Sequence, residues 1–177
     1  LRERLAAFRG RGIGVVDDFV EPWGPEIYAS LADRDELPVA VGLWLPETTE
    51  PAEADALRRA YAGGTSPIAV SGIKLFLDGS LGSRTAWMLE PYEGSRDRGM
   101  PVAGEDAAAE AMGLAARHGI AVTAHAIGDA AVRQALDLLE RLPRDRLTVA
   151  LYPEGYHMLL RDLQREVVWR DIAAWID

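Results

Sequence analysis

The hydrophobic positions of the sequence fall into short runs separated by longer segments of helical periodicity. Five of these runs are rich in β-branched or large aliphatic residues, which is typical of buried strands. They are residues 13–17, 39–45, 70–78, 120–125 and 147–152. Short strands that alternate with helices indicate βαβ units and a parallel sheet. The pattern therefore predicts an α/β fold.

Helical periodicity is clearest in four segments of the sequence. Residues 51–61, 105–118 and 129–141 predict helices between the strands, and the tail, residues 159–176, repeats apolar side chains every four positions. All five predicted strands are short enough to stand in a barrel. The expected architecture is a parallel (β/α) barrel of TIM type, of which this chain contains about five βα units.

Two predicted strands carry a polar side chain opposite an apolar face. Lys74 and Asp78 alternate with aliphatic residues in one strand, and His125 ends the strand that begins at Ile120. Barrel strands turn one face to the lumen and the other to the helices. Lys74 and His125 are therefore predicted to share the lumen, near the strand ends where barrel enzymes place their chemistry.

Lys74 needs a partner or a modification on that inner face, because desolvation disfavours the charged form of its amine. One outcome is an ion pair with Asp78 or with another carboxylate. The other is reaction of the neutral amine with carbon dioxide, which gives a carbamate whose oxygens bind a divalent metal. The residues alone leave both outcomes open.

Loops rich in glycine follow both strands. Gly128 permits a tight turn after His125, which suits either a metal-binding imidazole or a hydrogen-bonded packing histidine. Residues 78–85 form the other loop, where glycines let backbone amides approach a ligand and Arg84 could hold a substrate carboxylate. The alternative is an ordered loop in which the serines satisfy backbone groups and Arg84 pairs with an acid.

Composition narrows the classes of function. The 177 residues carry 28 acidic and 19 basic side chains, a net charge of -9, which disfavours binding to nucleic acid or to an anionic membrane. The sequence contains no cysteine, so a metal site must use His, carboxylate or modified Lys ligands. No apolar run is long enough to span a bilayer. We expect one soluble, cytoplasmic domain over residues 1–177 that acts on a small molecule, with self-association as a further expectation.

Two motifs together resemble amidohydrolase family 3. The first runs from Gly72 through Lys74, Asp78 and Arg84 to Thr85, and the second is residues 125–129, His-Ala-Ile-Gly-Asp. The resemblance, strongest over residues 68–142, implies a β/α barrel that hydrolyses C–N bonds of amide-type substrates with one or two divalent metals, usually zinc. It implies that Lys74, as a carbamate, and His125 bind metal and that Asp78 and Arg84 are catalytic residues near the substrate.

Several further ligands of that family have no counterpart in this sequence. The His-X-His pair of the first strand, the histidine of the sixth strand and the last aspartate are absent, so we expect an incomplete barrel. The absence of these ligands also favours a second hypothesis, which belongs to a different class of function. It is a non-catalytic, self-associating module in which Lys74 and Asp78 form a structural ion pair.

Overall fold

The computed structural model describes residues 1–62, 66–141, 150, 152–153, 155 and 161–176. The chain divides into two compact units, Leu1–Arg141 and Leu142–Asp177. The prediction of one domain over the whole chain stays a prediction.

The first unit is a parallel sheet with helices between its strands. Its strands, in spatial and sequence order, are β1 (Val15–Phe19), β2 (Ala40–Pro46), β3 (Ile68–Phe76) and β4 (Val122–His125). Its helices are α1 (Arg2–Gly10), α2 (Gly24–Asp33), α3 (Pro51–Ala60), α4 (Glu105–Arg117) and α5 (Asp129–Glu140). This arrangement confirms the predicted α/β fold with a parallel sheet, and the count of about five barrel units stays a prediction.

The predicted elements match the observed ones to different degrees. Two predicted strands coincide closely with β2 and β4, whereas β1 begins and ends two residues later than the predicted 13–17 and β3 begins and ends two residues earlier than the predicted 70–78. The fifth predicted strand, 147–152, lies almost entirely outside the described residues. Helices α1 and α2 were not predicted, because α1 is highly charged and buries only Leu5 while α2 opens with Gly24 and Pro25. Proline is nevertheless well placed in the first turn of a helix, where no backbone N–H is needed.

One face of the sheet packs against the helices. Leu43, Leu45 and Leu75 of the strands are almost fully buried there, against Tyr28 of α2 and Ala54 of α3. The opposite face is open, since Val15, Phe19 and Phe76 are 64%, 60% and 41% exposed. In a closed barrel this second face would line the lumen.

A polar contact crosses the open face of the sheet. The register between β2 and β3 shifts by one residue after Leu43, and Ser71 turns to the open face at this bulge. The Ser71 hydroxyl donates to Asp17 Oδ1 at 2.9 Å, and Trp44 Nε1 donates to the same oxygen at 3.2 Å. Gly42 makes this possible, because a Cβ there would lie 2.2 Å from Asp17 Oδ1. The first three strands are therefore joined by side chains as well as by backbone.

The second unit contains helix α6 (Arg165–Ile176). Within this unit the Tyr152 hydroxyl donates to Asp171 Oδ2 at 2.9 Å. The predicted tail helix is confirmed from Arg165 onwards, while residues 161–164 are not α-helical and residues 159–160 lie outside the described part of the chain. No helix among the described residues is both long and apolar enough to cross a membrane.

Candidate functional site

Lys74 and His125 lie on the same open face of the sheet. Lys74 pairs with Thr123, and Phe76 pairs with His125, so both side chains point to one side of neighbouring strands. The Phe76 ring contacts both of them, with 4.8 Å from its centroid to Lys74 Nζ and 5.4 Å to the centroid of the imidazole. The predicted shared face of Lys74 and His125 is confirmed.

Lys74 is surrounded by aromatic rings rather than by acids. Its Nζ lies over the rings of Phe19, at 5.1 Å, and Phe76, at 4.8 Å. Burial against these rings lowers the pKa of the Lys74 amine below its usual value. No carboxylate of the described residues lies within ion-pairing distance of Nζ, so the predicted ion pair with Asp78 is wrong. The reason is that the Asp78 carboxylate is directed towards backbone amides.

The Asp78 side chain is completely buried between two loops. Its Oδ2 accepts hydrogen bonds from the backbone amides of Gly128, at 2.7 Å, and Trp87, at 2.9 Å, while Oδ1 accepts from Ile127 at 3.0 Å. Strand alternation placed Asp78 beside Lys74, but β3 ends at Phe76 and the chain has turned by residue 78. Its predicted catalytic role stays a prediction.

His125 is held through one ring nitrogen. Nε2 lies 2.9 Å from the carbonyl oxygen of Gly79 and 3.9 Å from Asp78 Oδ1. A carbonyl oxygen can only accept, so in the neutral imidazole Nε2 carries the hydrogen and Nδ1 carries the lone pair. Metal-binding histidines are commonly oriented by such a bond from the other ring nitrogen to a carbonyl. The arrangement therefore fits an imidazole that ligates through Nδ1.

The two sequence motifs interlock through reciprocal hydrogen bonds. Asp78 of the first motif binds the backbone of the second, as described above, and Asp129 Oδ1 of the second accepts from the Leu89 amide, which follows the first motif, at 2.7 Å. The Ala130 amide also donates to the Trp87 carbonyl at 3.2 Å. Backbone contact is so close that a Cβ on Gly128 would lie 1.8 Å from the Trp87 oxygen. The loop after β3 and the turn after β4 thus form one structure.

The hydroxyl groups of the loop bond to one another. Ser83 Oγ lies 2.9 Å from Ser80 Oγ and 2.6 Å from Thr85 Oγ1, and the Ser80 amide donates to Thr85 Oγ1 at 3.0 Å. Arg84 is exposed, has a φ of 56°, and makes no ion pair with any described residue. The serines therefore order the loop as the alternative prediction states, while the predicted pairing of Arg84 with an acid stays a prediction that no described residue fulfils.

The described residues supply only part of a metal site. They contain no group of three or more His, Asp or Glu side chains placed to hold an ion. Lys74 and His125 remain the candidate ligands, and a catalytic zinc usually has three protein ligands. Both candidate ligands lie on the same side of the sheet.

Sequence reasoning missed the groups that surround these two side chains. Phe19 lies two residues beyond the end of the predicted first strand, and Phe76, which alternates with Lys74, has no polar group that would mark it as part of a site. The Gly79 carbonyl leaves no signal in the sequence, because any residue supplies a backbone oxygen. The proximity of Asp17 to Ser71 depends on the bulge in β3, which periodicity does not predict.

Comparisons with known proteins point to one family. Residues 1–164 match the profile of the amidohydrolase family. YtcJ of Bacillus subtilis (strain 168), which is named as an amidohydrolase, is 36% identical over 72 residues. That alignment covers 40% of this chain and 14% of YtcJ.

Two solved structures are similar to most of this chain. An uncharacterised metal-dependent hydrolase from Pyrococcus furiosus has 31% sequence identity and a TM-score of 0.66, over 78% of this chain and 30% of that protein. Another from Pyrococcus horikoshii OT3 has 27% identity and the same TM-score of 0.66, over 78% of this chain and 29% of its own. The chain thus spans about a third of the length of these structures.

Replacing Gly128 by Ala tests the contact between the two motifs. We expect Gly128→Ala to lower the free energy of unfolding by about 2 kcal/mol more than Gly104→Ala does, because the new Cβ collides with the Trp87 backbone. Gly104 is the matched control, since both glycines are N-caps with nearly the same φ and ψ but nothing lies within 4 Å of a Cβ at Gly104. Urea denaturation measures the free energy of unfolding of both variants. Equal losses of stability would contradict the close contact between Gly128 and the Trp87 backbone.

Proposed function

The chain belongs to the amidohydrolase family, and on that premise we propose that it is part of a metal-dependent hydrolase acting on C–N bonds of amide type. The observation that carries the proposal is the placement of Lys74 and His125 on one open sheet face, at and near the carboxyl ends of β3 and β4. In β/α barrels the catalytic groups stand at those strand ends.

Lys74 and His125 are the residues that would hold the metal, most simply zinc. Burial lowers the pKa of Lys74 and so raises the fraction of neutral amine, which is the form that reacts with carbon dioxide. The amine nitrogen forms a bond to carbon and releases a proton, and the resulting carbamate offers anionic oxygens. A bound divalent ion would polarise the substrate carbonyl and lower the pKa of a bound water to about 7.

We propose that further ligands come from outside these 177 residues, because the described residues offer no complete ligand group. Support comes from length, because the chain spans only 30% and 29% of the two similar metal-dependent hydrolases. The alternative, a non-catalytic module with a structural ion pair, loses its main support because Lys74 is not paired with Asp78. The experiments below therefore use the complete protein.

Arg84 is the candidate substrate-binding residue. It has a left-handed backbone conformation that is costly for a side chain with a Cβ, and no described carboxylate pairs with it. A guanidinium is suited to bidentate binding of a carboxylate. We therefore propose that the substrate carries an anionic group beside its amide-type bond.

Labelling with ¹³C-bicarbonate tests the modification of Lys74. Lys74 is the only lysine in this sequence, and a carbamate signal that is lost in Lys74→Arg is assigned to it. We expect the signal to grow as pH rises, since more amine is then neutral, and to disappear in Lys74→Arg together with most of the bound zinc. A signal or zinc content unchanged in folded Lys74→Arg would contradict the metal role.

Arg84→Gly tests the substrate role without a folding cost. Glycine accepts a φ of 56°, so the free energy of unfolding should stay within about 1 kcal/mol of the unsubstituted protein. The KM for a substrate that carries a carboxylate should rise by roughly tenfold or more, because a charge-assisted hydrogen bond is lost. A matched neutral substrate should show no such rise, and an equal effect on both substrates would argue against the assignment.

A further inference from the structure

We propose that Asp78 is a positioning residue, whose buried carboxylate fixes the Gly79 carbonyl and thereby orients the His125 ring. The inference rests on the proposed function in one respect: the orientation of the ring matters because His125 is proposed to bind a metal. The hydrogen bonds that carry it belong to the protein itself, so its test needs no metal and no substrate.

The hydrogen bonds that the Asp78 carboxylate forms with described residues all go to backbone amides of other segments. Its two oxygens accept from Trp87, Ile127 and Gly128, and the side chain has no exposed surface through which to reach a substrate. Gly128 is the N-cap of α5, so the carboxylate also lies at the positive end of that helix. A buried carboxylate is stable where several donors surround it, and this one fastens the end of β3 to the turn that follows β4.

Gly79 transmits this constraint to the imidazole. It directly follows Asp78, and its carbonyl accepts the hydrogen bond from His125 Nε2 at 2.9 Å. Its own amide donates to the Thr85 carbonyl at 3.2 Å, and a Cβ on Gly79 would lie 2.0 Å from Thr85 Oγ1. The peptide after Asp78 is therefore closely packed on both sides and has little freedom to turn its oxygen away.

The backbone of His125 is held by the same strand end. The Leu77 amide donates to the His125 carbonyl at 2.9 Å, so residues 77–79 hold both the main chain and the ring of the histidine. Loss of the Asp78 contacts would leave the bond from the Leu77 amide to the His125 carbonyl in place. It would release the bond from the His125 ring to the Gly79 carbonyl. Asp78 thus acts on the ring of His125 more than on the strand.

Asp78→Asn is the direct test. Asparagine has only one acceptor oxygen. Its side-chain NH2 group must therefore face at least one of the backbone N–H groups that donate to the carboxylate of Asp78. We expect the hydrogen on His125 Nε2 to exchange with water roughly five- to tenfold faster than in the unsubstituted chain, because its bond to Gly79 is weakened. The exchange is measured by ¹H–¹⁵N NMR of the ring at about pH 8, where an ordinary imidazole is neutral, with the signal assigned by its absence in His125→Gln.

Asp129→Asn is the matched control. It makes the same chemical change in the same pair of loops, at a carboxylate that also accepts a hydrogen bond from a backbone amide, that of Leu89. Asp129 is exposed, and none of its hydrogen bonds goes to Gly79 or to His125. We expect the ring hydrogen to exchange at the unsubstituted rate in Asp129→Asn. Equal acceleration in both variants would mean general loosening of the loops and would overturn the proposal.

A second variant covers the case in which Asp78→Asn does not fold. Asp78→Glu keeps the carboxylate but moves it by one methylene, so exchange of the ring hydrogen should again accelerate in a folded chain. An unchanged exchange rate in either folded variant would overturn the positioning role of Asp78. Loss of zinc from Lys74→Arg bears on the metal proposal alone, so the two proposals can fail separately.

Discussion

The buried carboxylate of Asp78 has no Lys or Arg of the described residues beside it, and the His125 ring nitrogen lies 3.9 Å away, so its stability rests on the backbone amides from two separate loops that point at it. Meeting that requirement brings Trp87 and Gly128 together and fixes the end of β3 against the start of α5. The placement of His125 follows from the same constraint, since its ring bonds to the residue next to Asp78. One buried side chain thus explains why two motifs, separated by about forty residues of sequence, are joined at one place.

Lys74 is subject to the opposite requirement, because no described acid neutralises it. The rings of Phe19 and Phe76 partly shield its amine from water, which favours the neutral form, while their faces attract the ammonium form. Desolvation is the stronger effect here, since the pKa of Lys74 is lowered. A lowered pKa raises the fraction of neutral amine, which is the form that reacts with carbon dioxide, and Phe76 contacts both this amine and the ring of His125.

How much the sequence could predict depends on the range of each interaction. Alternation within β3 and β4 was enough to place Lys74 and His125 on one face, because the period of a strand is local. The same rule misplaced Asp78, since it assumed a strand beyond Phe76 where the chain already turns. Contacts that join distant segments, such as the bond between Gly79 and His125 or the bulge at Ser71, have no local signal and could not be predicted.

Anomalous diffraction at the zinc edge, from crystals of the complete protein grown with bicarbonate, tests most directly whether this face holds a metal. The account predicts an anomalous peak about 2.0–2.1 Å from His125 Nδ1, the usual zinc–imidazole distance, in contact with density for a carbamate on Lys74. A peak elsewhere in the protein, with an unmodified Lys74 lying over Phe19 and Phe76, would contradict it.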